Sequence, residues 1–121
     1  KRLIRHGSGE LVALSEAKLR GEAAPPEKVA AAVAGLRAHP EAGALDTVVL
    51  ACTHFPLLLP ELSAAFGPDV RFVDGAEGIA RRIASLTEGQ AFARAHPDRA
   101  VTTGSLADWQ RLAPALASAQ W

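Results

Sequence analysis

The chain reads as an α/β fold on a parallel sheet, and three observations carry that reading. Val48, Val49 and Leu50 form a continuous β-branched and apolar run, the pattern of a strand buried on both faces. Helical stripes alternate with further strand-like runs, which implies crossover connections and parallel pairing. Alanine helps to lift the hydrophobic fraction to 49% with only 5% aromatics, favouring helices packed closely through small side chains.

The elements follow in order. Ser8 can cap a first helix with Leu11, Val12, Leu14 and Leu19 at helical spacing, ending at Gly21. Pro25-Pro26 punctuates the next loop. A second helix over residues 27–38 carries Val29, Val33 and Leu36 on one stripe and stops before Pro40. Residues 41–45 connect to a strand at 47–51. Pro56 opens a third helix over 56–66, stopped by Gly67-Pro68. A second strand spans 70–73, with Asp74-Gly75 as its turn. A fourth helix starts near Glu77 and runs through Ile79, Ala80, Ile83 and Leu86; Gly89 breaks it before a weaker helical piece at 91–95. Residues 100–103 read as a third short strand. Ser105 and Asp108 have the spacing of a capping box for a last helix with Trp109 and Leu112, which Pro114 kinks or divides.

Composition narrows the function classes. Thirteen basic and thirteen acidic residues cancel, so no field draws the chain to nucleic acid or a membrane surface. No apolar run is long enough to span a bilayer and no signal-peptide pattern is present, which argues for a soluble cytoplasmic protein. A single cysteine cannot form an internal disulfide, consistent with a reducing compartment. The first residue is Lys1 rather than methionine, so the chain is expected to be the carboxyl-terminal part of something longer.

The most informative stretch is Ala51-Cys52-Thr53-His54-Phe55-Pro56. It lies between a strand and a helix amino terminus, at the sheet edge where open α/β folds bind ligands. A helix amino terminus also favours a thiolate. A lone cysteine is more often apolar filler than a reactive group. A thiol, a hydroxyl and an imidazole on one turn are harder to explain as packing.

The run Asp46-Thr47-Val48-Val49-Leu50-Ala51-Cys52-Thr53-His54-Phe55-Pro56-Leu57-Leu58 closely resembles the second signature of the glutamate racemases, in the aspartate/glutamate racemase superfamily. Val73-Asp74-Gly75-Ala76-Glu77-Gly78-Ile79-Ala80-Arg81-Arg82 resembles the strand, turn and helix that follow it, and Gly7-Ser8-Gly9-Glu10-Leu11-Val12-Ala13-Leu14-Ser15-Glu16 a mid-chain helix. The likeness runs from about Leu3 to the carboxyl end. It implies one part of a two-domain, pseudo-symmetric enzyme whose two α/β halves each supply one cysteine. Residues 1–78 would be the partial second racemase domain. Residues 79–121 would be a crossover helix and a segment that packs with the missing first domain, residues 100–103 joining its sheet. Only one of the two cysteines is present, so the chain alone is expected to be inactive; its narrow sheet and orphaned arm lead to an expectation of marginal stability or a rearranged tail.

Racemising an amino acid means removing the α-proton and returning one to the opposite face. The resemblance implies a cofactor-independent route with two thiols, Cys52 serving one face and the missing half the other. His54 would tune or relay the proton of Cys52 and contact substrate. Thr53 would bind the substrate's polar groups, and Glu16 would be an auxiliary acid. The bland alternatives are a helix-capping His54, a capping Thr53 hydroxyl and a solvated Glu16. Pyridoxal phosphate would need a lysine at the site, and Lys1, Lys18 and Lys28 are not at a strand's carboxyl end. Cys52, His54 and the scattered His6, His39 and His96 lack the paired spacing of a zinc site. Asp74-Gly75-Ala76-Glu77-Gly78 is taken as structural rather than anion-binding, and Arg81 and Arg82 as helix surface.

The implied function is interconversion of L- and D-glutamate for peptidoglycan, with glutamate and the missing half as partners and a homodimer allowed. An aspartate racemase is the near alternative. A non-catalytic α/β module binding a small acid or a partner protein is the alternative from another class. A thiol oxidoreductase lacks its Cys-x-x-Cys spacing.

Overall fold

The computed structural model of the chain describes residues 2–93, 95–97, 99 and 101–118. These fall into two compact units, one through Asp74 and one from Gly75.

The first unit is a two-stranded parallel sheet with helices on one face. Helix α1 (Gly9–Leu19) starts where the Ser8 hydroxyl accepts the Leu11 N–H at 3.2 Å. It ends at Arg20, followed by Gly21 at a φ of +80°. The expected single second helix is two: α2 (Pro26–Ala32) and α3 (Ala34–Arg37), parted at Val33. The cause lies outside the helix, because the His6 ring donates through Nε2 to the Ala32 carbonyl at 2.9 Å and draws it out of the ladder. Gly35 leaves the ring space, since a Cβ there would sit 3.4 Å from His6 Cε1.

A 3-10 turn (Ala42–Ala44) leads into β1 (Thr47–Val49), which pairs with β2 (Arg71–Val73) in the register Thr47–Arg71, Val48–Phe72, Val49–Val73. The ladder gains one more bond, Leu50 N–H to the Val73 carbonyl at 2.8 Å. Ala51 then turns back onto the Val49 carbonyl and ends the strand early. The expected helix over 56–66 begins instead as a 3-10 turn (Phe55–Leu58), and α4 (Leu59–Phe66) follows. Pro60 explains the change: it has no N–H and its ring clashes with the carbonyl four residues back, so no α-helix runs through from Pro56. Gly67, at a φ of +88°, closes α4.

Leu11, Leu14, Val29, Val33, Leu50, Leu58 and Leu62 are the buried core. Helix α2 lies on α4, and α1 on the 55–58 turn. Val48 and Phe72 join the core from the sheet, with Phe66 edge-on to Phe72 at 6.0 Å. The expectation of a strand buried on both faces fails at Val49, which is 62% exposed on the opposite face. One face of this narrow sheet is packed and the other is open.

The second unit contains α5 (Ala76–Leu86) and α6 (Leu106–Ser118). Ser105 caps α6 as its spacing predicts, accepting the Asp108 N–H at 3.1 Å and donating to the Asp108 carboxylate at 2.7 Å. Pro114 does not divide α6, which continues to Ser118. Residues 91–93 and 95 are not helical, and Arg94 lies outside the described residues. Such a piece is too short to nucleate without packing. Residues 101–103 form no strand, and Ala100 lies outside the described residues. A strand exists only when paired, and here the Thr102 hydroxyl takes the Gly104 N–H into a local turn instead. No helix among the described residues is long and apolar enough to cross a membrane.

Candidate active site

Leu50 is buried in the core and ends the ladder, so the next residues leave the sheet at its carboxyl edge. Cys52, Thr53 and His54 make that turn, which Phe55 closes by donating its N–H to the Cys52 carbonyl at 3.2 Å. The thiol is partly buried, with Sγ 3.6 Å from His54 Nδ1. The far side of the ring faces α1, with Nε2 3.5 Å from Glu16 Oε1. A carboxylate opposite Nε2 favours the proton there and leaves Nδ1 free to accept from the thiol. The three groups therefore form a line: thiol, imidazole, carboxylate.

Of the structural alternatives, helix capping by the His54 ring is absent, whereas Glu16 is exposed as a solvated helix residue would be. His54 stands at the amino end of the 55–58 turn but caps it with no side-chain hydrogen bond. Glu16 is half exposed and shared, since its Oε2 lies 3.8 Å from Arg20 Nη1 on the same helix. Arg20 in turn donates through Nε to Glu22 at 3.1 Å. Thr53, next to Cys52 in the turn, is exposed. Glu10 is exposed in the first turn of α1. Arg81 pairs with Glu77 along α5 and both are exposed. Among the described residues no group of three or more His, Cys, Asp or Glu is placed to hold a metal ion.

Sequence reasoning passed over Lys18 and Glu61, whose side chains meet at 2.6 Å between α1 and α4. The signal was present: Lys18 follows Leu11, Leu14 and Ser15 on the buried stripe of α1, a position where a charge needs a partner. An open cavity of about 200 Å³, lined by Arg37, Ala42, Gly43, Leu45, Phe66 and Val70, lies near the amino ends of the strands, away from Cys52.

The chain is 61% identical over 106 residues to the glutamate racemase of Sphingopyxis alaskensis, a match covering 87% of this chain and 40% of that protein. Its homologues are glutamate racemases. The Shewanella piezotolerans glutamate racemase is 37% identical over 95 residues, covering 78% of this chain and 34% of its own length. Among solved structures, Escherichia coli glutamate racemase in complex with L-glutamate and the activator UDP-MurNAc-Ala superposes with a TM-score of 0.81 at 37% identity. That match covers 93% of this chain and 42% of the other. The chain thus spans about two fifths of the glutamate racemases it matches. No protein-family model matches it.

Proposed function

We propose that this chain supplies one of the two proton-transferring thiols of a cofactor-independent glutamate racemase. The observation that carries the reading is the line Cys52–His54–Glu16 at the carboxyl edge of the sheet. The likeness to glutamate racemases and the L-glutamate in the Escherichia coli structure favour glutamate over aspartate as substrate.

In this mechanism the Cys52 thiolate takes the α-proton from one face of glutamate and becomes a thiol. The electron pair of the broken C–H bond stays on the α-carbon. A second thiol, from a racemase half outside this chain, gives its proton to the opposite face and becomes the thiolate. No electrons enter or leave, and the reverse direction exchanges the two roles. His54 takes the Cys52 proton through Nδ1 to make the thiolate, and returns it when the thiol must be restored. Glu16 steadies the charged imidazole from the Nε2 side. The Thr53 hydroxyl and backbone N–H bind the substrate's polar groups.

Residues 79–121 are assigned to packing against the other racemase half, and the D-glutamate formed to peptidoglycan synthesis in the cytoplasm. The test is D-glutamate formation from L-glutamate without added cofactor, by this chain alone and by the chain joined to an upstream racemase half. Activity only in the joined protein is the expected result. Activity in neither would favour a binding module, and activity in this chain alone would overturn the two-thiol route.

A further inference from the structure

Helix α1 presents two different sides to the rest of its unit. Leu11, Leu14, Ser15 and Lys18 share the buried stripe, at i, i+3, i+4 and i+7. Glu16 stands on the flank of that stripe and reaches His54 from there. A helix with its side chains is about 10–12 Å across, so a 10° roll about its axis displaces a flanking group by about 1 Å. For a given Glu16 rotamer, the Glu16–His54 gap therefore varies with the roll of α1.

Packing of α1 against the 55–58 turn and α2 resists such a roll, but apolar burial is non-directional. Leu11 and Leu14 are buried in that packing, and the Ser15 hydroxyl bonds the Leu11 carbonyl of its own helix, so neither fixes a polar register to the next element. The Arg20–Glu16 pair also lies within the helix and its own end, so it moves with α1 and would keep Glu16 as the helix turned away from His54. Lys18 is different. Its amine meets Glu61, in the first turn of α4, directly after the turn that His54 opens. Glu61 is only 15% exposed, and its second oxygen, Oε2, is buried. Burial alone would raise the Glu61 carboxyl, but the Lys18 hydrogen bond, the residue's own backbone N–H and the Lys18 charge outweigh it and hold it below the ordinary carboxyl value. The pair is thus a directional tie between the helix that carries Glu16 and the segment that carries His54.

We infer that Lys18 and Glu61 are positioning residues whose ion pair fixes the roll of α1 and so the reach of Glu16 to His54. The inference rests on reading Cys52, His54 and Glu16 as the proton relay. Neither residue touches the reacting atoms; both act through Glu16.

Cys52 is the sole cysteine, so iodoacetamide consumption reads its thiolate alone, with no need for racemisation. An imidazole steadied by a carboxylate holds the thiol's proton better and leaves more thiolate. With Glu16 present, K18M should slow alkylation about three- to tenfold. In an E16Q background the same change should alter it by less than about 1.5-fold, because coupled residues give non-additive effects. The swapped pair K18E/E61K, which restores the tie, should recover most of the loss. A K18M effect equal in both backgrounds would reduce the pair to a structural brace and overturn the inference, as would no effect in either. Failure of the unsubstituted, joined protein to form D-glutamate would sink the functional reading and leave the alkylation cycle as an independent test of the tie.

Discussion

The two units of this chain use the same raw material to different ends. Up to Asp74 each apolar stripe meets another element: Leu11 and Leu14 of α1, Val29 of α2, and Leu58 and Leu62 around α4 close one core. From Gly75 on, α5 carries an equally clear stripe in Ile79, Ile83 and Leu86, yet these side chains are 57 to 59% exposed. The opposite face of α5 carries Glu77 and Arg81, so its amphipathic pattern is complete. The contrast teaches that periodicity states which face of a helix needs cover but is silent on what supplies it. The first unit finds its cover locally; the second does not.

Dividing the chain gives the largest expected effect. Residues 1–74 produced alone should unfold cooperatively on heating, with helical circular dichroism retained at 25 °C. Residues 75–121 alone should show little helix, because helices of 11 and 13 residues are marginal in water without packing. A cooperative transition in the second piece would break the comparison.

Single substitutions sharpen it. Leu58 is fully buried, and L58A should cost about 2–5 kcal/mol in denaturant unfolding. I83A removes a similar side chain from the open face of α5 and should change stability by less than about 0.5 kcal/mol. Equal costs would mean that the stripe of α5 is covered.

The ion pairs should divide in the same way, with smaller effects. E61Q leaves the Lys18 amine without its charged partner and should cost about 1–3 kcal/mol at neutral pH. E77Q breaks an exposed pair on α5 and should cost less than about 1 kcal/mol. The sign for pH follows from the depressed Glu61 carboxyl. Its contribution is fully present above the ordinary value of 4.5 and is lost as pH falls through the lower folded value. E61Q should therefore flatten the loss of stability below about pH 4.5, and an unchanged acid profile would show that Glu61 is not the group responsible.

What was legible in the sequence was local. The Ser8 and Ser105 caps, the glycine stop of α4, the parallel strands and the Cys52–Thr53–His54 turn all depend on residues within a few positions of one another, and each appears in the structure. The misreadings came from partners that local patterning does not show. His6 splits the second helix from 26 residues away. The strand-like run at 101–103 lacks a ladder to join, and the open face at Val49 depends on how many layers the sheet has. Pro60 is the exception, a local signal that should have shortened the third helix. In the candidate site, the meeting of Cys52 with His54 follows from their spacing. The approach of Glu16 came only from resemblance, and the Lys18–Glu61 tie, 43 residues apart in sequence, was not read at all.

In the proposed mechanism Cys52 carries a proton to and from the α-carbon of glutamate. The most direct measurement is the rate of L- to D-glutamate conversion by the protein joined to its other half, before and after C52S. A fall of about a thousandfold or more is expected, because a serine hydroxyl is far too weak an acid to supply a base at neutral pH. Turnover within about tenfold of the parent would contradict it.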